Sequence, residues 1–97
     1  MLVDTFKIIV RSYFPDILFF NKGCTEVYFG DSSEYDVIRY LGYDPMEPDN
    51  DCVVWTDQFE PIYLENQRDL VKVLKAYKEH YGDRYIRETQ SIYWGAL

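Results

Sequence analysis

The residues with the clearest chemical potential are four carboxylates close together at the middle of the chain. Asp44, Glu47, Asp49 and Asp51 fall within eight positions of GYDPMEPDNDCVVW, residues 42–55, and no lysine or arginine lies among them. Like charges held this close repel one another, which raises the question of what they bind. Because carboxylate oxygens are the ligands that Ca²⁺ and Mg²⁺ prefer, a metal site is the first hypothesis.

The spacing of these acids argues against a metal site. An EF-hand loop has oxygen ligands at positions 1, 3 and 5, a glycine at position 6 and a glutamate at position 12. Counted from Asp49, Glu60 occupies position 12, but positions 5 and 6 are Val53 and Val54. The apolar run around these valines is typical of a core strand. We therefore expect no metal ligands here, and no cofactor.

Enzyme chemistry has equally little support in the sequence. The single histidine, His80, lies near the end of a helical pattern, where the helix dipole favours its charged form, and the sequence places no nucleophile beside it. No glycine-rich phosphate-binding motif occurs. Cys24 and Cys52 form no CxxC pair, and each begins an apolar run, so we expect buried, reduced thiols. The sequence predicts no catalytic residue and no enzyme.

Composition predicts one domain that spans residues 1–97. The chain is 47% hydrophobic and 19% aromatic, with ten tyrosines, which excludes a disordered acidic chain and is enough for one core. No run of eighteen apolar residues and no signal-peptide pattern occurs, so we expect a cytoplasmic protein without membrane contact.

The net charge of −7 is concentrated in one block of the chain. Residues 24–67 contain eleven acidic residues and one basic residue, Arg39, whereas residues 1–23 and 68–97 carry net charges of +1 and +2. Such asymmetry bears on partners and on steering, not on the fold. We expect Arg39 to pair with Asp36, three residues earlier, or to be solvated.

Basic residues in the C-terminal third have an ordinary interpretation. Arg68, Lys72, Lys75 and Lys78 recur along one side of a predicted helix, which is typical of the solvated face of an amphipathic helix. Direct nucleic-acid binding would require a surface rich in lysine and arginine. We therefore expect this protein not to bind nucleic acid directly.

The first third of the chain is predicted to be largely extended. Residues 5–13, TFKIIVRSY, are rich in β-branched and aromatic residues and predict a strand. Residues 15–23 fit one or two helical turns, or a continuation of extended chain. Residues 24–30, CTEVYFG, predict a second strand.

A helix is predicted over residues 32–41. The preceding DSSE stretch has the spacing of a capping box, and Tyr35, Ile38 and Leu41 recur at helical spacing. Gly42 is placed to end the helix.

The second half of the chain predicts a strand pair and a long helix. CVVWT and PIYL read as paired strands, and Asn66 caps a helix that runs to about Tyr81 and ends at Gly82. Residues 84–94 suit a helix or a strand equally. These elements predict an α+β domain with an antiparallel sheet of three to four strands and two to three helices packed on it. The apolar face of the long helix is predicted to contain Leu70, Val73, Leu74, Tyr77 and Tyr81.

The acidic block is predicted to present its carboxylates outward and its apolar residues inward. In extended chain, Asp49 and Asp51 would lie about 6–7 Å apart, broadly the separation of consecutive phosphates on a nucleic-acid strand. Several tyrosines lie among the acids, and tyrosine is common at interfaces. The inward candidates are Val27, Phe29, Ile38, Leu41, Val53, Trp55, Ile62 and Leu64, and the interspersed tyrosines are Tyr28, Tyr35, Tyr40, Tyr43 and Tyr63. The residues predicted to bind a partner are Glu34, Asp36, Tyr43, Asp44, Glu47, Asp49, Asp51, Asp57 and Glu60.

In size, acidity, tyrosine content and lack of catalytic motifs, the whole chain resembles the small phage-encoded anti-CRISPR proteins that mimic DNA, those of type I-F first. The resemblance rests on no diagnostic motif, so it assigns no residue. It implies a stoichiometric inhibitor that occupies the basic path for target DNA in an RNA-guided surveillance complex.

Three other interpretations fit the same pattern. An immunity or antitoxin-type protein would mask the basic active site of a nuclease toxin. A metal-dependent enzyme or calcium-stabilised domain would use the same acids as ligands. An acidic face that only confers solubility would need no partner.

Overall fold

Two helices and an antiparallel sheet form the described part of the computed structural model, which comprises residues 1–21, 25–30, 35–41, 51–56 and 59–87. The first strand has two residues, so four full strands carry the sheet, and the predicted α+β class is confirmed. In chain order the elements are α1 (Val3–Tyr13), β1 (Phe20–Asn21), β2 (Thr25–Gly30), β3 (Tyr35–Leu41), β4 (Asp51–Thr56), β5 (Phe59–Leu64) and α2 (Gln67–Tyr81).

The sheet is a simple meander in which each strand pairs with the next one in the sequence. Its order is β1-β2-β3-β4-β5, and all pairs are antiparallel. The strands predicted in CTEVYFG, CVVWT and PIYL are confirmed, and the last two pair, with Val53 opposite Tyr63. Of the two possibilities for residues 15–23, extended chain is found at Phe20–Asn21.

The predicted strand at residues 5–13 is wrong, because Val3–Tyr13 form helix α1. Phe6 and Val10 are four residues apart and therefore lie on one helical face, where both are fully buried. Strand preference measures how well a side chain fits a half-buried pleated surface. Packing against the sheet favours the helix at this position despite the β-branched residues.

The predicted helix at residues 32–41 is also wrong, because Tyr35–Leu41 form strand β3. Ile38 and Tyr40 face the helices, whereas Val37 and Arg39 lie on the other face, which is the two-residue alternation of a strand. Strands β2 and β4 pair with β3 on both sides and bond its backbone. The capping-box residues Asp31 and Glu34, and Gly42, lie outside the described residues.

Helix α2 matches the prediction from the sequence. It spans Gln67–Tyr81, and the Asn66 side chain accepts a hydrogen bond of 3.0 Å from the Asp69 backbone N–H. It ends at Gly82, which adopts a positive φ of 57°. The predicted apolar face is buried at Leu70, Leu74 and Tyr81 and half-buried at Val73 and Tyr77.

Both helices pack on one face of the sheet and enclose the main core. Cys52 is a buried residue of this core, as predicted, whereas Cys24 lies outside the described residues. A smaller cluster on the other face contains Phe20, Tyr28, Val37 and Ile86. Within the described ranges, no helix has the length and apolar character that crossing a membrane requires.

The chain after α2 runs back along the sheet. Tyr85 forms an isolated bridge with Phe29, and the Ile86 N–H donates a hydrogen bond of 3.2 Å to the Tyr28 carbonyl. Residues 84–94 were predicted to form a helix or a strand. The first of them, around Tyr85, pair with β2 as extended chain, and residues 88–94 lie outside the described residues.

Contacts with strand β3 show at which end of the sheet each helix begins or ends. The Tyr40 hydroxyl, near the end of β3, donates to the Met1 carbonyl at 2.7 Å, so α1 begins beside that end. Tyr81, at the end of α2, instead contacts Asp36 near the start of β3. Lys78 in the last turn of α2 lies 5.2 Å over the ring of Phe14, just after α1, so both helices finish together.

Candidate functional site

The predicted partner-binding residues divide into those that the structure describes and those that it does not. Asp36 is described with its side chain, and Asp51 and Glu60 are described as backbone positions in β4 and β5. The remaining six, Glu34, Tyr43, Asp44, Glu47, Asp49 and Asp57, lie outside the described residues.

The strand topology defines two ends of the sheet, between which the connections of the acidic block are divided in the sequence. Leu41 pairs with Asp51, so the chain leaves β3 and enters β4 at one end. Gly30 pairs with Tyr35 and Thr56 with Phe59, and both pairs lie at the opposite end. The six residue steps from Tyr35 to Leu41 separate the two ends by about 20 Å.

We name two sets of residues by these strand ends. The 43–51 set follows β3 and reaches the start of β4, and it consists of Tyr43, Asp44, Glu47, Asp49 and Asp51. The 34/57/60 set adjoins the opposite strand ends, and it consists of Glu34, Asp57 and Glu60.

Asp36 was predicted to lie on the outer surface of a helix. It lies instead on strand β3, and its side chain faces the helices. Tyr81 donates a hydrogen bond of 2.5 Å from its hydroxyl to Asp36 Oδ2. Burial raises the pKa of Tyr77, and the nearby Asp36 carboxylate raises this pKa further. Two phenols on successive turns of α2 thus share one carboxylate on β3. Asp36 thus links helix α2 to the sheet through a hydrogen bond. Its role in partner binding stays a prediction.

Arg39 binds a buried glutamate that the sequence analysis did not single out. Its Nε donates to Glu26 Oε1 at 2.8 Å, and the Tyr28 hydroxyl donates to Glu26 Oε2 at 2.6 Å. Glu26 is 3% exposed and lies directly opposite Arg39 in the β2–β3 register. The predicted pairing of Arg39 with Asp36 is wrong, because the two residues lie on opposite faces of β3.

This pairing matters for the charge of the whole acidic block. Arg39 is the only basic residue between positions 24 and 67, and its charge is matched by the buried Glu26 carboxylate. The ten other acidic residues of the block therefore have no basic residue within it. Only the register of β2 against β3 reveals this pair, so a single sequence offers no signal for it.

Of the eight predicted inward residues, five are confirmed, one is wrong and two are not described. Ile62 is exposed. Of the interspersed tyrosines, Tyr28 and Tyr40 are buried, Tyr35 is half-buried and Tyr63 is exposed. Val27, Phe29, Ile38, Val53 and Leu64 are buried as predicted, and the side chains of Leu41 and Trp55 lie outside the description.

The structure describes the position of His80 and bears on the metal hypothesis. His80 is exposed in the last turn of α2, where its ring lies edge-on to Tyr81 at 4.6 Å. Among the residues that the structure describes, no group of three or more histidines, cysteines or acids is arranged to hold a metal ion. Asp49 and the side chain of Asp51 lie outside the described part of the chain.

The described part thus defines a two-layer α+β protein in which the exposed cations of α2 lie in the helical layer. Comparison with known proteins gives no match to a family model, a curated protein or a solved structure.

Proposed function

We propose that this protein is a stoichiometric inhibitor that presents a phosphate-like acidic surface and blocks target-DNA binding by a CRISPR RNA-guided surveillance complex. The type I-F complex is the first candidate for this target. It binds protein, not nucleic acid directly, and acts in the cytoplasm of the host cell without a cofactor or catalysis. The observation that carries this proposal is the net charge of −10 over residues 24–67, whose only base, Arg39, is matched by a buried acid.

The distribution of charge supports binding to a basic partner. The exposed cations Arg68, Lys72 and Lys75 lie on α2, in the helical layer, whereas the acidic block forms strands β2–β5 and their connections. A protein with one strongly negative side gains fast, steered association with a basic cleft, at the cost of self-repulsion in the folded state.

The separation of the two strand ends also fits a nucleic-acid path. Strand ends about 20 Å apart correspond to about six nucleotide steps along one strand of a duplex, at about 3.4 Å per step. A groove built for target DNA offers cations over such a length. The 43–51 set and the 34/57/60 set would then occupy two stretches of one path.

Charge reversal tests the proposal at each end of the sheet separately. One variant changes Asp44, Glu47, Asp49 and Asp51 to lysine, and a second changes Glu34, Asp57 and Glu60. A control variant reverses three exposed acids outside the block, Asp4, Asp16 and Glu79, the same number as the second variant. The measurement is target-DNA binding by a purified type I-F surveillance complex, titrated with each protein at several salt concentrations.

We expect the unmodified protein to inhibit at a one-to-one ratio, with an affinity that falls steeply as salt rises. Both block variants lose inhibition, whereas the control retains it. Normal binding by the variant with four lysines in the 43–51 set contradicts the proposal. Specific binding to a small nuclease toxin in place of the ribonucleoprotein would identify the immunity or antitoxin class instead.

A further inference from the structure

Two large apolar side chains are exposed next to each other on the last strand of the sheet. Ile62 is 55% exposed and Tyr63 is 60% exposed; the only other exposed large apolar residue within the described ranges is Ile8 on α1. A single exposed apolar side chain such as Ile8 is ordinary on a protein surface. Ile62 and Tyr63 place exposed apolar side chains at two successive positions of one strand, and tyrosine is a frequent anchor of protein interfaces.

The position of β5 decides how a partner would reach these side chains. Strand β5 is last in the sheet order, and no other strand within the described residues pairs with its outer side. Successive residues of a strand point to opposite faces, so Ile62 lies on the helix side with Val54 and Tyr63 on the other side with Val53. A partner that contacts both must receive the edge of the sheet in a groove.

Charge near β5 indicates what lines that groove. Exposed Glu65 directly follows the strand, Glu60 lies within it, and no basic residue occurs between Arg39 and Arg68. The complementary surface has apolar walls for the two side chains and lysine or arginine at its rims.

A second copy of this chain fits the edge less well. If two β5 strands paired antiparallel about Ile62 and Tyr63, position 60 of one copy would face position 65 of the other, and both are glutamates. Like charges directly opposite are destabilising. Pro61 has no N–H to donate, which also weakens strand addition and leaves the contact to side chains.

We propose that the edge of strand β5, with Ile62 and Tyr63 as apolar anchors, inserts into the basic groove of the partner protein. This inference rests on the proposed function and assigns to it a contact that charge alone does not supply. Steering by charge sets the rate of association, whereas desolvated aromatic and aliphatic anchors slow dissociation.

The test replaces both anchors by threonine, which is polar and retains a high strand preference. The matched control is Ile8→Thr, a change of the same chemistry at a side chain that is 70% exposed in the helical layer. Association and dissociation rates are measured by surface plasmon resonance on an immobilised type I-F surveillance complex. Thermal unfolding checks that each variant is folded, and the single Tyr63→Thr variant serves if the double variant is not.

We expect the double variant to bind at least about tenfold more weakly, mainly through faster dissociation. The salt dependence of association stays unchanged, and Ile8→Thr binds normally. If the double variant binds normally while the charge reversals weaken binding, the β5 surface is wrong and the proposed function stands. If it changes only self-association in light scattering, the surface contacts a second copy and the proposal is wrong. If the unmodified protein does not bind the complex, both proposals fail.

Discussion

The Tyr81 hydroxyl donates a hydrogen bond of 2.5 Å to the Asp36 carboxylate, across 45 positions of the sequence. This contact joins the last turn of α2 to the beginning of β3. It gives a hydrogen-bond donor to an acid of the acidic block that faces the helices. A substitution at Tyr81 can therefore measure how much this contact between α2 and the sheet contributes to stability.

Removing the Tyr81 hydroxyl tests this contact. We expect Tyr81→Phe to lower the free energy of unfolding by about 2 kcal/mol, because the part-buried Asp36 carboxylate loses the hydrogen bond from the Tyr81 hydroxyl. Urea denaturation measures the change. The control is Tyr63→Phe at an exposed tyrosine, with an expected change within about 0.5 kcal/mol. Equal effects of the two variants would contradict the assigned contact.

Tyr77 predicts a loss of stability at alkaline pH. Its pKa in the folded protein is raised above the ordinary value of 10.0 by burial and by the Asp36 carboxylate. Below pH 10 the phenol is protonated in both folded and unfolded chains and this contribution to stability is fully present. Above that value the unfolded chain ionises first, so stability falls as pH rises.

The measurement is urea denaturation at about pH 9 and about pH 11, with phenolate absorbance recorded in parallel. Tyr77→Phe should lose less stability than the unmodified protein between the two pH values, although it is less stable at neutral pH. The same difference between the two pH values in Tyr77→Phe and in the unmodified protein would rule out this role of Tyr77.

The Glu26–Arg39 pair predicts an asymmetry between single and double variants. Arg39→Met leaves a buried carboxylate without its cation and should cost about 2–3 kcal/mol; we take a value below the full cost of breaking a buried pair because the Arg39 side chain is 35% exposed. The double variant Glu26→Met with Arg39→Met removes both charges and should regain most of this loss. A double-mutant cycle by urea denaturation measures it. Additive losses would show that the two side chains do not interact.

The cap of α2 predicts a further loss of stability. Asn66→Ala removes the acceptor for the Asp69 N–H and should cost about 1 kcal/mol. Asn66→Asp keeps an acceptor at the same position and should retain most of the stability. Thermal unfolding compares the two variants, and an alanine variant as stable as the aspartate variant would contradict the capping role.

The sequence alone determined the elements whose signals are local. Helix α2 has a capping residue, a glycine stop and five apolar residues at helical spacing, which together allow one structure. The strands around Val27 and Val53 carry continuous apolar or aromatic runs, and the sheet buries both residues. The unequal distribution of charge is likewise a property of the sequence, independent of the fold.

Only the tertiary structure decided α1, β3 and the partners of the buried charges. The local pattern predicted a strand over residues 5–13 and a helix over residues 32–41, and both predictions were wrong, because the surface against which each segment packs decides its structure. Arg39 meets Glu26 rather than Asp36 because β2 and β3 pair in one register. Asp36 turns toward Tyr81 because β3 is a strand whose successive residues face opposite sides. Such contacts join residues far apart in the chain, and the energy that selects them exists only once the sheet and helices have packed.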